Sequence, residues 1–283
     1  MTDIAVIVLT KNEHLHIARC LNKIAHLQPK QVFVVDCGST DDTVEIAKRH
    51  GATVVYHEWP GNQAKQFNWG LENLPITTEW ILRLDADEYL SPETMVQLKE
   101  EFASDHFDDY AGIELELRRK FLGREMRHAT TGIRMIRLFR RGKGVYPDHV
   151  MDERLRIDGP VFRHQGSFFD DNLNGISWWT SKHLDYARRE AEQALLEPHG
   201  RKHLYYRLPK FVRCFVYFLY RYFVRLGFLD GVEGFLWNFL QGLWYRILVD
   251  AQIQRVERLA FGGRFYGSRD EKIKSALKEF SRQ

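Results

Sequence analysis

Short apolar runs alternate with stretches of helical spacing over the first hundred residues. Continuous apolar runs of strand length predict buried strands at 4–9, 32–35, 53–56 and 80–84. The stretches between them carry apolar residues at helical spacing and predict three helices, of which the third covers 63–74. This β-α-β-α-β-α-β order implies a parallel sheet with right-handed crossovers.

The pattern changes after the fourth strand. A helix is predicted from Ser91 to about Phe102, because Ser91, Pro92 and Glu93 form a helix-start signal. Strand-like segments follow at 111–117 and 133–139. Beyond Gly159 the pattern becomes helical, and 178–196 is the clearest case.

Polar clusters follow three of the predicted strands, at 10–13, at 36–40 and at 85–87. Ligands of open parallel sheets bind beyond the carboxyl ends of the strands, so these clusters are expected to converge. Asp85 and Asp87 are two carboxylates one residue apart where a strand meets its loop. Such a pair can hold Mg²⁺ or Mn²⁺ against a diphosphate, although D-x-D alone is weak because it occurs often by chance.

The composition is that of a globular protein, with 44% hydrophobic and 28% charged residues. A net charge of only +3 gives no global basic signal, so no nucleic-acid partner is expected. The three cysteines are far apart and form no metal-ligand spacing, which suits a reducing cytoplasm. The first residues lack a basic stretch and an apolar run of signal-peptide length, so we expect no secretory signal.

Residues 201–225 contain seven Lys/Arg, nine Phe/Tyr and no acid. The apolar stretch 211–228 has nearly the length of a membrane span, but Arg213, Arg221 and Arg225 would be costly at a bilayer centre. A basic, aromatic amphipathic helix lying in the membrane interface is therefore predicted, with 232–249 as its partner helix or a second interfacial element. The alternative is that both segments are ordinary helices that pack on each other or form a homo-oligomer.

At this point the chain resembles the family 2 glycosyltransferases with a GT-A fold, and more narrowly the bacterial β-glucosyltransferases that extend lipopolysaccharide core and related glycolipids. The resemblance covers nearly the whole chain, and its motifs are specific in this order and spacing. They are Leu9-Thr10-Lys11-Asn12-Glu13, Asp36-Cys37-Gly38-Ser39-Thr40-Asp41-Asp42, Trp59-Pro60-Gly61 leading to Lys65 and Asn68, Asp85-Ala86-Asp87-Glu88, Arg137-Leu138-Phe139-Arg140-Arg141, and Asp152-Glu153 before Asp158-Gly159.

The resemblance implies an α/β fold of GT-A (Rossmann-like) type, with a mostly parallel sheet flanked by helices and a C-terminal amphipathic helical extension. Together with the change in composition at residue 201, this predicts a nucleotide-sugar-binding and catalytic domain, 1–200, and a basic-aromatic membrane-association region, 201–283. It also implies a UDP-sugar donor and dependence on Mg²⁺ or Mn²⁺.

Several residues match donor-site positions of that family. Asp36 matches the acid that recognises uracil, and the less favoured alternative is that it caps the loop that follows it. Asp87 matches the direct metal ligand, and Asp85 matches a contact to ribose, metal or metal-bound water. Lys65 could neutralise diphosphate charge or be an exposed helix lysine. The whole expected nucleotide-sugar-binding set is Thr10, Asn12, Glu13, Asp36, Ser39, Lys65 and Asp85.

The family places a catalytic base in a Val-His-Glu motif, where this chain has Met151-Asp152-Glu153. The resemblance therefore assigns the base to Glu153, with Asp152 as the alternative and a structural role for both still open. Three further groups have weaker expectations. Arg137 and Arg140 could clamp phosphate or form ion pairs, His164 could reach the metal or be structural, and Asp170 with Asp171 is interpreted as a helix start. Residues 121–131 are expected to form a loop beside the acceptor.

The leading hypothesis is an inverting, metal-dependent transfer of a hexose, glucose by the family resemblance, from a UDP-sugar to a lipid-linked saccharide acceptor. The acceptor would be a lipopolysaccharide core or a polyprenyl-linked oligosaccharide, and the enzyme would be peripheral on the inner face of the cytoplasmic membrane. The alternatives are a polyprenyl-phosphate sugar synthase and a non-catalytic sugar-nucleotide-binding scaffold. A nicotinamide-dependent oxidoreductase ranks last, because the first loops lack G-x-G-x-x-G.

Overall fold

The computed structural model of the protein describes residues 1–128, 130, 132–147, 155–196, 204–263 and 266–280. The chain forms two compact units. The sheet unit contains Met1–Glu125 and Thr130–Leu173, and the helical unit contains Met126–Ala129 and Asn174–Gln283. The domain boundary expected between residues 200 and 201 lies outside the described residues and stays a prediction.

The strands belong mainly to the sheet unit. In chain order they are β1 (Thr2–Thr10), β2 (Pro29–Asp36), β3 (Thr53–Tyr56), β4 (Trp80–Asp85), β5 (Glu88–Leu90), β6 (Gly112–Phe121), β7 (Arg124–Met126), β8 (Arg134–Arg140), β9 (Gly144–Val145), β10 (Arg156–Ile157) and β11 (Val161–Asp171). The described part of the main sheet has the order β3-β2-β1-β4-β8-β6-β11-β5, with β7 paired to β6.

Pairing is parallel among the first four strands in the order β3-β2-β1-β4, and between β6 and β11. β8 runs antiparallel to both β4 and β6, and β5 runs antiparallel to β11. In register, Thr10 of β1 lies opposite Asp36 of β2, and Leu9 lies opposite Asp85 of β4. The carboxyl ends of three parallel strands therefore meet at one edge of the sheet.

The sheet is covered on both faces. Its helices are α1 (Ile17–Ala25), α2 (Thr43–Arg49), α3 (Gln63–Asn73) and α4 (Pro92–Glu101). Alternate residues of β1 enter two separate cores: Ile4, Val6 and Val8 pack with α1 and α4, while Ala5, Ile7 and Leu9 pack with α3. Burial on both faces explains why β1 is a continuous apolar run, as parallel strands usually are.

The helical unit follows Leu173. It contains α5 (Ile176–Leu196), α6 (Leu204–Arg207), α7 (Val212–Leu219), α8 (Gly231–Trp237), α9 (Tyr245–Phe261) and α10 (Arg269–Phe280), with π-helical turns at Tyr220–Val224 and Asn238–Trp244 and a 3₁₀ turn at Gly227–Asp230. Apolar residues of α5, α9 and α10 form its core. Within the described ranges, no helix is both long enough and apolar enough to cross a membrane.

The α/β class, the mostly parallel sheet flanked by helices and the helical C-terminal region are confirmed. Two predictions about local structure are wrong. The segment after Gly159 is not helical at first, because Val161–Asp171 forms β11 between β6 and β5. Asp170 and Asp171 consequently end a strand and do not begin a helix, since α5 starts only at Ile176.

Candidate active site

The carboxylate of Asp36 closes the loop that follows β2. Its Oδ1 accepts a hydrogen bond from Thr10 Oγ1 at 3.1 Å, and its Oδ2 accepts from the backbone N–H groups of Gly38 and Ser39, both at 2.9 Å. Gly38 has a φ of +89°, a conformation that glycine adopts without strain. Asp36 is thus both buried and held rigidly, so the loop-capping role weighed from the sequence is present in the structure.

The loop after β1 is joined to the loop after β2. The Asn12 N–H donates to Ser39 Oγ at 2.8 Å, and Asn12 Oδ1 accepts from the Thr40 N–H at 2.8 Å. The Glu13 N–H donates to Thr43 Oγ1 at 2.7 Å. Four of the seven residues expected to bind the donor, Thr10, Asn12, Asp36 and Ser39, therefore lie in one hydrogen-bonded cluster, and Glu13 joins the same two loops through Thr43.

A buried histidine extends this cluster toward the end of β11. His16 Nε2 accepts a hydrogen bond from the backbone N–H of Leu173 at 2.9 Å. The ring proton must then sit on Nδ1, which lies 2.6 Å from Glu13 Oε2 and donates to it. Sequence reasoning did not identify His16, and nothing in the local sequence links it to Leu173.

Asp85 ends β4 on the same edge of the sheet. Its Oδ1 is buried and accepts no hydrogen bond from the described residues. The cation nearest to this oxygen in the described contacts is Arg83, whose Nη2 lies 3.5 Å away. The backbone N–H of Asp85 donates to Glu88 Oε2 at 3.0 Å, which fixes the turn between the two carboxylates of the Asp85-Ala86-Asp87 motif.

Asp87 is held by the end of β11, whose partner strand β5 begins at the next residue, Glu88. Asn172 Nδ2 donates to Asp87 Oδ2 at 2.9 Å, and the Asp171 N–H donates to the Asp87 carbonyl at 3.1 Å. Burial raises the pKa of Asp87 to about 6, and the negative charges of Asp170 and Asp85 add to the rise. A negative potential of this kind favours a bound cation.

These residues fit a divalent metal ion. Asp85 and Asp87 offer two hard carboxylates, one of them with a buried oxygen that accepts no hydrogen bond among the described residues. The described residues contain no group of three or more His, Cys, Asp or Glu side chains that could hold a metal. A pair of carboxylates is the usual protein share for Mg²⁺, which keeps waters and binds substrate phosphates in its other positions.

Arg83 is a buried cation beside Asp85, and the sequence analysis treated it only as an interruption of a strand. Its side chain is 2% exposed, and its Nη2 lies 3.3 Å from Gln63 Oε1 in the first turn of α3. Its guanidinium lies 4.4 Å from the ring centroid of Tyr146. The signal was available, because residues two apart on a strand share a face and Arg83 precedes Asp85 by two.

The remaining predicted site residues are Lys65, Asn68, Asp152 and Glu153. Lys65 is exposed on α3, and its backbone N–H donates to the N-cap residue Asn62 at 2.8 Å. Asn68 bonds the backbone of Tyr146 in both directions, at 2.7 and 3.0 Å, so it serves the fold as weighed from the sequence. Asp152 and Glu153 lie outside the described residues, and their role as catalytic base stays a prediction.

Arg137 and Arg140 have the structural partners that the sequence left open as an alternative to clamping phosphate. Arg137 forms a buried ion pair with Glu88, and Arg140 Nε donates to the carbonyl of Tyr110 at 2.8 Å. Burial raises the pKa of Glu88, and the charge of Arg137 opposes that rise. Glu88 therefore links Arg137 to the backbone of the Asp85-Ala86-Asp87 turn.

His164 is also structural. Its Nδ1 accepts a hydrogen bond from the backbone N–H of Gly166 at 2.7 Å, so the ring proton is on Nε2. Nε2 lies 2.8 Å from Glu101 Oε2, to which it donates. Both ring nitrogens are occupied, and neither faces the Asp85 and Asp87 carboxylates as a metal ligand.

Comparison with known proteins identifies the family. The sequence model of "Glycosyl transferase family 2" matches residues 5–151. A Rickettsia typhi protein described as an uncharacterized glycosyltransferase is 27% identical over 246 residues, which cover 83% of this chain and 82% of that protein. A Rickettsia felis protein of the same description is 40% identical over 118 residues, covering 41% of this chain and 40% of the relative.

Solved structures with similarity to the chain include S. aureus TarS (residues 1–349), with a TM-score of 0.41, 15% identity, and coverage of 100% of this chain and 92% of that one. Another is glucosyl-3-phosphoglycerate synthase from Mycobacterium tuberculosis in complex with Mn²⁺, UDP-glucose and phosphoglyceric acid. Its TM-score is 0.33 at 21% identity, with coverage of 42% of this chain and 44% of that one.

The family match extends over more than half of the chain and includes the whole Thr10 to Asp36 cluster and both carboxylates of the Asp85-Ala86-Asp87 motif. Members of this family bind a nucleotide-sugar donor and an acceptor. The chain belongs to glycosyl transferase family 2 and is a glycosyltransferase.

Proposed function

We propose that the chain transfers a hexose, glucose in the first instance, from a UDP-sugar to a lipid-linked saccharide with inversion at the anomeric carbon. The observation that carries the proposal is the convergence of two polar groups at one edge of the sheet. The Asp36 cluster lies where β1 and β2 end, and Asp85 and Asp87 lie where the neighbouring β4 ends. A nucleoside lies against the first group in this proposal, and its diphosphate lies against the second.

In this proposal the donor is bound through its nucleoside and its diphosphate. The Asp36 loop, with Thr10, Asn12, Glu13 and Ser39, offers backbone and side-chain hydrogen-bonding groups to the base and ribose. Asp87 and Asp85 would hold Mg²⁺ or Mn²⁺, and Lys65 would add positive charge beside the phosphates. When bound, the metal neutralises the charge that develops on the departing diphosphate.

The transfer requires one base. In this proposal the Glu153 carboxylate takes the proton from an acceptor hydroxyl, with Asp152 as the alternative base. The hydroxyl oxygen forms a bond to the anomeric carbon on the face opposite the diphosphate. The bond from that carbon to the phosphate oxygen breaks, and its electron pair leaves with UDP. This assignment rests on the family resemblance, because both residues lie outside the described part of the chain.

A lipid-linked acceptor, as in lipopolysaccharide or polyprenyl-linked oligosaccharide synthesis, is supported by a large exposed apolar surface on the helical unit. Surfaces of this kind mark contacts with membranes or with other proteins. We place the enzyme on the inner face of the cytoplasmic membrane, where nucleotide sugars and lipid-linked acceptors meet.

The donor site is tested by thermal unfolding with a panel of nucleoside diphosphates, with and without Mn²⁺. A ligand that binds only the folded state raises Tm. We expect a Mn²⁺-dependent rise with UDP that Asp87→Asn abolishes. The control is Asp158→Asn, because the Asp158 side chain is 87% exposed. Equal Tm values with all nucleotides would contradict the proposal and favour another role for the sheet edge.

The base and the acceptor are tested by product formation. Glu153→Gln should stop transfer while leaving the UDP-dependent rise in Tm intact, whereas Asp152→Asn should retain transfer. Product from polyprenyl phosphate alone would identify a polyprenyl-phosphate sugar synthase. A lipid-linked saccharide as the required acceptor would support the proposal. Full transfer by Glu153→Gln would remove Glu153 from the mechanism.

A further inference from the structure

The exposed surface of α7 and the π-helical turn after it is apolar. Large apolar and aromatic side chains recur at intervals of three and four residues along this 13-residue stretch, which places them on one helix face. Each is between 45% and 68% exposed. They are Val212, Phe215, Val216, Leu219, Tyr220, Phe223 and Val224.

A second exposed apolar stripe follows directly. It continues through the turn after the π-helix and along α8 to the start of the next π-helical turn. Its side chains are between 39% and 69% exposed. They are Leu226, Phe228, Leu229, Val232, Phe235 and Phe239. We refer to the two stripes together as the apolar face.

Two of the three arginines in this segment, Arg213 and Arg221, point the other way, whereas Arg225 is half-buried. Arg213 is buried and ion-paired with Asp250 of α9. Arg221 is also buried, and its guanidinium lies 5.5 Å from the ring centroid of Tyr217. An ordinary surface helix buries its apolar stripe and exposes its charges. Here the arrangement is inverted, and the basic face expected from the sequence does not form from Arg213 and Arg221.

The apolar face also lacks exposed acids. Asp230 and Glu233 are the acidic residues between 204 and 249. Asp230 is buried and accepts hydrogen bonds from the backbone N–H groups of Arg127 and His128, both at 3.1 Å. Glu233 is half-buried. Lipid headgroups of a cytoplasmic membrane carry net negative charge, so a surface without exposed acids suits them.

We propose that the apolar face inserts into the acyl-chain region of a lipid bilayer, so that the helical unit is held by hydrophobic insertion and not by surface charge. This inference deepens the proposed function, on whose membrane location it rests. The 13-residue stretch that carries the first stripe is about 20 Å long, which is too short to cross a bilayer core of about 30 Å and suits a segment lying in the interface.

A bilayer fits this surface better than a second copy of the chain. Protein interfaces carry a polar rim and about one hydrogen bond for every 100–200 Å² of buried area. Apart from the Tyr220 hydroxyl, the 13 side chains of the apolar face lack hydrogen-bonding groups. Acyl chains require none, and an aromatic side chain with a polar tip is typical of the membrane interface.

The experiment is flotation of the full-length protein with vesicles. We expect binding to phosphatidylcholine vesicles without anionic lipid. Raising the salt from about 0.1 M to about 1 M shortens the Debye length from about 10 Å to about 3 Å, and we expect the bound fraction to change by less than about twofold. A Phe223→Glu/Val224→Glu variant should lower the bound fraction by about tenfold or more. The control is Val96→Glu, since Val96 is 58% exposed on α4 of the sheet unit.

Two results would overturn the inference. Binding that requires anionic vesicles and disappears at high salt would show electrostatic attachment. An absence of vesicle binding, with a lipid-free dimer that Phe223→Glu converts to a monomer, would make the apolar face a contact between copies. The Mn²⁺-dependent UDP shift is measured on the same samples. If UDP raises Tm but the protein does not bind vesicles, only the insertion is rejected. If the protein binds vesicles but UDP does not raise Tm, only the donor site is rejected.

Discussion

Replacement of Arg213 by methionine should leave the buried carboxylate of Asp250 without its cationic partner inside the helical unit. The Arg213 and Asp250 side chains are 6% and 1% exposed. Arg213 Nε contacts both carboxylate oxygens, at 3.1 and 3.0 Å, and Nη2 contacts Oδ1. Loss of one partner of a buried ion pair destabilises a protein by about 3–5 kcal/mol.

The lower end of that range applies here. After the substitution, Asp250 Oδ2 still accepts a hydrogen bond from the Phe211 N–H at 2.9 Å and a weak one from Cys214 Sγ at 3.3 Å. We therefore expect a loss of about 3 kcal/mol. The Arg213→Met/Asp250→Leu variant removes both charges and should lie within about 1 kcal/mol of the parent, because well-packed apolar groups can replace a buried pair.

The assay is amide hydrogen exchange of α9, since the two units can unfold separately and a global midpoint would mix them. A loss of about 3 kcal/mol accelerates exchange that proceeds through opening of this unit by about 150-fold. The control is Arg269→Met, whose exposed pair with Asp270 should contribute less than about 1 kcal/mol. Unchanged exchange in Arg213→Met, or a double variant no more stable than the single one, would refute the reasoning.

Three further outcomes are expected. Asn172→Ala removes the amide that holds Asp87 and should weaken Mn²⁺ binding by about tenfold, as measured by electron paramagnetic resonance; unchanged affinity would make that hydrogen bond incidental. The pKa of Asp87 is raised to about 6, and a metal ligand must be ionised, so Mn²⁺ affinity should fall about tenfold per pH unit below pH 6 and level off above pH 7. The affinity is measured with UDP-glucose, because its esterified diphosphate does not titrate in this range. A flat profile down to about pH 5 would contradict the prediction. Gly234→Ala places a Cβ 2.5 Å from the Gly227 carbonyl oxygen and should cost about 1–3 kcal/mol in thermal unfolding, whereas Gly175→Ala meets no atom within 4 Å and should be neutral.

The first half of the fold is predictable because its information is local. Each of β1 to β4 contains a short apolar run. Ser91 is the N-cap of α4 and Pro92 is its first residue, as the sequence indicates. β11 was missed because its sequence is mixed. It contains His164, Gly166 and Ser167 within the strand, and it is defined by pairing with β6 and β5, which are distant in sequence.

The candidate site also has a part that is predictable from local sequence and a part that is not. Asp36, Asp85 and their neighbours follow strands, and parallel pairing brings strand ends together, so their convergence follows from the pattern. The contact of Asp87 with Asn172 joins residues 85 positions apart. No local spacing encodes such a contact. The inward direction of Arg213 was likewise hidden, because the sequence shows a cation but not the Asp250 that receives it.

The carboxylate of Asp230 makes one small loop depend on a distant part of the chain. It accepts hydrogen bonds from the backbone N–H groups of Arg127 and His128, which precede it by 103 and 102 residues. At a synthesis rate of about 5–20 residues per second, the ribosome needs about 5–20 s to reach the acid after the loop has emerged. During that interval the loop lacks the partner that orders it, so newly made chains complete this corner only late in synthesis.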